Sequence, residues 1–129
     1  MASKSGPDII EDGLVLCLDA ASKRSYPGTG TVWTDLKGSN NGTFTNMNAA
    51  NFSSANGGSL SFDGSNEYVT CGAKSLFEFT TGDSISTSCW VKPTNTSSQT
   101  YQAAFTIGGS ASTLRDRTYQ VRIRNTRQI

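Results

Sequence analysis

The chain has 129 residues, enough for one domain with a single core, and a modest hydrophobic fraction of 35%. Its formal net charge is +1 and it contains no histidine, which excludes a long-range field for nucleic acid or an anionic membrane and a cysteine–histidine zinc site. The missing imidazole also removes the usual general base for a serine or cysteine nucleophile. Serine, threonine, asparagine and glycine fill much of the remainder, a mixture that suits short strands and turns. No stretch holds an i, i+3, i+4, i+7 apolar stripe for three turns, so helices are not expected.

Residues 1–12 are polar around Gly6-Pro7, with Ile9 and Ile10 as an apolar pair, and read as an extended N-terminal arm. Such an arm is either disordered or docked on a neighbouring subunit through Ile9 and Ile10. Lys4, Asp8, Glu11 and Asp12, with no apolar run between them, argue against a signal peptide. No run in the chain approaches membrane-spanning length, and a soluble protein is expected. Residues 13–129 are expected to form one β domain.

Residues 13–19 are apolar at almost every position and read as a strand buried on both faces. A loop over 20–30 containing Tyr26 and Pro27 follows, then a short strand over 31–33. Turns occupy 35–42, and Asn41-Gly42 is the strongest two-residue hairpin signal, with 43–45 as the returning strand. Residues 59–63 alternate, Leu60 and Phe62 on one face and Ser59, Ser61 and Asp63 on the other. Residues 64–66 then reverse the chain and 67–71 return it as a hairpin.

The clearest long strand is 84–92. Ile85, Thr87, Cys89 and Val91 make one face, Ser86, Ser88, Trp90 and Lys92 the other, and Pro93 ends it by removing a ladder donor. Further strands are expected over 101–107 and 117–124, the last with Tyr119, Val121 and Ile123 inward and Gln120, Arg122 and Arg124 outward. Roughly eight or nine such segments without a helix imply an all-β, two-sheet antiparallel sandwich or jelly roll.

Four strings, in order over residues 13–93, resemble laminin-G-like, concanavalin A-like jelly-roll domains. GLVLCLD at 13–19 is similar to their opening strand, and WTDLKGSNNGT at 33–43 to the turn after it. SLSFDGSNEYV at 59–69 is similar to their "SFDG-x-x-x-YV" hairpin, and SISTSCWVKP at 84–93 to their "WVKP" strand. The resemblance implies a concanavalin A-like jelly roll. It departs after residue 93, where the family's further "W-hydrophobic-x-V" strand and late "N-G" hairpin are missing. The expectation is a sandwich incomplete at its C-terminus, finished by a partner chain or by swapping, or else the front of a longer protein. An unfinished sheet exposes edges that invite assembly. Domains of this style are also frequent in tailed-phage structural proteins, which implies a virion surface role.

Four sets of residues are candidates for chemistry. Asp19, Asp35, Asp63 and Glu67 lie at strand ends and turns, where calcium-binding jelly rolls gather oxygen ligands, with Asn40 or Asn66 beside them. The plainer alternative is that Asp35 and Asp63 cap turns through local hydrogen bonds. Trp33, Tyr26 and Tyr101, on or near loops, are candidates for stacking on a glycan. Arg122 and Arg124 belong to a basic cluster near the C-terminus, either a stripe for an acidic partner or the solvent face of a strand. Cys17, Cys71 and Cys89 are odd in number and lie in apolar runs, pointing to free thiols and assembly in a reducing cytoplasm.

Glucanases share the jelly roll but need closely spaced carboxylates as "E-x-D-x-x-E", a string the chain lacks, so no catalytic residue is named. The expectation is a non-enzymatic structural or binding module, a virion surface component of a phage such as a capsid decoration, fibre or tail protein. It would be oligomeric, held to other subunits by its arm and open sheet edges, with no cofactor beyond the candidate calcium. A carbohydrate-binding lectin module, calcium-assisted, is the alternative, and a glucanase-like hydrolase ranks behind it.

Overall fold

The computed structural model describes residues 10–71, 77, 79, 82–93, 101–108 and 117–124. Among these the regular structure is antiparallel β throughout, with two short 3-10 turns, Ala49–Asn51 and Ala55–Gly57, and no α-helix. The chain divides into two compact units, Met1–Gly72 and Ala73–Ile129.

The first unit holds β1 (Val32–Trp33), β2 (Gly42–Thr45), β3 (Phe52–Ser53), β4 (Ser59–Leu60) and β5 (Tyr68–Thr70). β1, β2 and β5 form a three-stranded sheet in that order, and β3 pairs with β4. β2 buries Gly42 and Phe44 and exposes Thr43, the period-two pattern of a strand with one covered face. Phe44 joins Tyr26 and Met47 in a small buried cluster, with Trp33, Phe52, Leu60 and Val69 partly buried against it. The ring of Tyr26 is tilted on Phe44 at 5.0 Å and meets Phe52 edge to face at 5.4 Å, and Trp33 meets Phe44 edge to face at 6.1 Å.

Asn41-Gly42 does not form the expected two-residue turn. Gly42 is the ladder partner of Trp33, so the connection between β1 and β2 is the wider loop 34–41. Packing gives the reason for glycine: a Cβ at position 42 would lie 2.6 Å from Val69 Cγ1 and 3.4 Å from Trp33 Cβ. Gly58 has a stricter requirement, with φ at +140° and only 2.4 Å between an added Cβ and the carbonyl oxygen of Ala20.

The hairpin expected over 59–71 is also replaced. β4 pairs with β3, and β5 pairs with β2 through Thr43↔Thr70, Phe44↔Val69 and Thr45↔Tyr68. That register sets Val69 against the aromatic cluster, a gain that a local hairpin would forgo. Side chains close the turn between them. The Asp63 N–H donates to Glu67 Oε2 at 2.6 Å, the Ser65 N–H to Asp63 Oδ1 at 2.7 Å, and Asn51 Nδ2 to Glu67 Oε1 at 2.9 Å. Phe62 and Tyr68 are 46% and 53% exposed.

Residues 13–19 are not a strand, and Val15 is exposed rather than covered on both faces. The segment bonds to the 34–41 loop instead: Cys17 donates its N–H to Asp35 Oδ1 at 3.0 Å and accepts the Leu36 N–H at 2.9 Å. A loop offers isolated partners, whereas a ladder needs a second backbone running alongside.

In the second unit, β6 (Tyr101–Gly108) and β7 (Arg117–Arg124) form an antiparallel pair with irregularities at Ala103/Phe105 and Ile107/Gly108. Phe105 faces Val121 across the pair, and Thr106 faces Gln120, whose Nε2 donates to Thr106 Oγ1 at 3.0 Å. Alternation along the last strand holds only in part for the side chains described: Ile123 is half-buried and Arg122 exposed as expected, but Val121, expected inward, is exposed, and Gln120, expected outward, is half-buried. Residues 84–92, expected as the clearest strand, belong to no ladder among the described residues, and Trp90 and Val91 are exposed. Alternation permits an extended chain, but only a neighbouring backbone makes it a strand.

Candidate functional site

The 34–41 loop holds the most densely bonded polar cluster of the first unit. Asp35 opens it immediately after β1 and is only 4% exposed. Its Oδ1 accepts the N–H groups of Cys17 and Lys37, each at 3.0 Å, and its Oδ2 accepts the N–H of Asn40 at 3.2 Å. Gly38 supplies a further backbone N–H. The Asp35 N–H in turn donates to Asn41 Oδ1 at 2.9 Å, and Asn40 Nδ2 reaches back to the Val15 carbonyl at 3.2 Å. Burial pushes the Asp35 carboxyl up, but the N–H groups of Cys17, Lys37, Asn40 and Gly38 outweigh it and hold it below the ordinary aspartate value.

Ser25 is the second centre, fully buried. Its hydroxyl accepts the Asp19 N–H at 3.1 Å and donates to the Thr34 carbonyl at 2.6 Å, while Thr34 N–H returns to the Ser25 carbonyl at 2.8 Å. Asp19 Oδ1 accepts the Ala21 N–H at 2.8 Å, an Asx turn. Together Asp35 and Ser25 fasten the 15–26 segment to the far end of β1. Burial, followed by the negative charges of Asp19 and Asp35, pushes the Cys17 thiol up, so Cys17 is protonated and weakly nucleophilic at neutral pH.

The candidate calcium ligands therefore occupy two turns rather than one site. Asp19 and Asp35 serve the first cluster, and Asp63 and Glu67 close the 63–67 turn. Among the described residues no group of three or more acidic or thiol side chains is placed to hold a metal ion. Backbone N–H groups crowd the Asp35 oxygens, and such a positive rim favours an anion at its centre and opposes a cation beside it.

The glycan candidates also separate. Tyr26 is a core residue, 1% exposed, with its hydroxyl donating to the Gly30 carbonyl at 3.1 Å, so it has no free face for a sugar. Trp33 is half-buried against Phe44, and its Nε1 is buried without a partner among the described residues. Tyr101 opens β6 as the ladder partner of Arg124; the side chains of both lie outside the described residues. Arg122 is exposed and its Nε donates to Gln120 Oε1. Of the arm pair, Ile10 is exposed and Ile9 lies outside the described residues.

Sequence reasoning missed Ser25, and it named Asn40 as a candidate ligand and Asn41 as a turn residue without the bracing roles they take, because those roles depend on partners brought from elsewhere in the chain. It placed Trp90 on the polar face of a strand but gave it no role; Trp90 is fully exposed on the segment 82–93. A signal for Trp90 was present, since it alternates with Ser86, Ser88 and Lys92 on the polar side. No protein-family model, curated protein or solved structure matches the chain.

Proposed function

We propose that this chain is a non-enzymatic structural module that assembles with other protein subunits, in the manner of a virion surface component such as a phage capsid decoration, fibre or tail protein. The observation that carries this reading is the segment 82–93. It lies outside every ladder among the described residues and presents Trp90 and Val91 to solvent. Covering an aromatic side chain of this kind contributes roughly 1.5–3 kcal/mol, and an extended backbone adds its own hydrogen bonds when it joins a sheet edge. In this reading the completed fold is the two-sheet jelly roll of the family resemblance, with 84–92 as one of its strands.

Light scattering coupled to size exclusion, run over a concentration series, tests the proposal. The expected result is a mass that rises with concentration, and a Trp90→Ser chain that stays at the monomer mass. A wild-type chain that remains monomeric at every concentration, alone and with its neighbouring structural proteins, overturns it. Calcium-dependent binding on a carbohydrate array would transfer the assignment to the lectin alternative.

A further inference from the structure

Asparagine followed by glycine is a chemically labile pair. The glycine nitrogen gives up its proton and attacks the asparagine side-chain carbonyl carbon; the new C–N bond closes a cyclic imide, and the side-chain nitrogen leaves as ammonia. Solvent water then opens the imide at either carbonyl, leaving aspartate or isoaspartate. Ring closure needs a backbone free to rotate about the asparagine and an attacking nitrogen free of a ladder.

The chain contains this dipeptide twice, at Asn41-Gly42 and at Asn56-Gly57, in opposite surroundings. Asn41 Oδ1 is held by the Asp35 N–H at 2.9 Å, and Gly42 is buried in β2 as the ladder partner of Trp33. Closing a ring there requires β1 and β2 to part. Asn56 and Gly57 are both exposed in the 3-10 turn Ala55–Gly57, and the Ser54 side chain does not cap that turn. Asn56 has φ at 55°, a left-handed conformation that local motion readily leaves. Such an opening costs far less than parting two strands of a sheet.

We infer that Asn56-Gly57 is a site of spontaneous imide formation and isoaspartate conversion in the folded protein, and that Asn41-Gly42 is protected by the fold. The conversion has a structural consequence. Isoaspartate carries the main chain through the side-chain carbons and adds an atom to the backbone just before Gly57, one residue ahead of Gly58. Gly58 is the position with 2.4 Å between a built Cβ and the Ala20 carbonyl oxygen, and Gly57 lies against Ala21. A lengthened backbone cannot keep that approach, so the 20–24 segment, with Lys23 and Arg24 exposed, loosens.

The full chain, incubated at mildly alkaline pH and mapped by mass spectrometry with isoaspartyl methyltransferase labelling, tests this. Asn56 is expected to convert at least about tenfold faster than Asn41 in the folded chain, and at an equal rate in denaturant, where both pairs are free. Equal rates in the folded chain, or faster conversion at Asn41, overturn the inference. The variant Asn56→Gly suits the positive φ and removes the reacting side chain. The aged wild-type chain is expected to gain trypsin cleavage at Lys23 and Arg24, and the aged variant to gain none. The same gain in both overturns the structural consequence.

Discussion

A carboxylate that accepts several backbone N–H groups is stabilised in its charged form, and Asp35 does so with Cys17, Lys37, Gly38 and Asn40. Its folded value lies below the ordinary 3.8, so the folded state binds that proton less readily than the unfolded chain. The contribution is therefore complete above the unfolded value and is lost as pH falls through the folded one. Asp35→Ala leaves several N–H groups without their acceptor and is expected to cost about 2–4 kcal/mol in urea unfolding near neutral pH. The advantage of wild type over Asp35→Asn should shrink on acidification below the ordinary 3.8, first because the unfolded chain takes up the proton and then, below the folded value, because both side chains are uncharged. A constant difference across that window would refute the assignment. The exposed pair of Lys37 and Glu11, 3.5 Å apart, contributes little by comparison.

At the scale of elements, β2 organises the first unit because it is the strand with neighbours on both sides, β1 and β5. Gly42 lets Val69 and Trp33 close over it, and Phe44 carries the sheet's contact with Tyr26. Gly42→Ala places a methyl group 2.6 Å from Val69 Cγ1 and is expected to destabilise the chain by about 1–3 kcal/mol, read from a lower urea midpoint at unchanged slope. An unchanged midpoint would show that Val69 gives way freely. Strand positions at 32–33, 43–45, 68–70, 101–107 and 117–124 were legible in composition and alternation, because β-branched and aromatic residues suit a pleated, half-covered surface. Their pairing was not. Asn41-Gly42 signals a tight turn by local preference, yet Asp35 and Asn41 impose a wider loop by bonding across it and to Cys17. Tyr26 looked like a loop aromatic because its neighbours are polar, and only the arrival of Phe44 and Phe52 makes it core.

At the scale of the molecule, the buried apolar side chains among the described residues are Tyr26, Phe44 and Met47. Larger apolar groups, Trp90 above all, face solvent. A protein of this kind gains stability from anything that binds its folded state, so its melting temperature is expected to rise with chain concentration. Differential scanning calorimetry over a concentration series checks this, and a constant melting temperature would count against the proposed assembly.

Composition and alternation by themselves determined that the chain favours short β segments and turns over helices, and the absence of histidine and of an "E-x-D-x-x-E" string directed the functional reading toward assembly. Those properties are set residue by residue. Tertiary structure decided which segments became strands, which carboxylates became fasteners and which aromatics became core. A ladder, a buried carboxylate and a ring contact each need a partner from a distant part of the chain, and local preference does not specify where that partner lies.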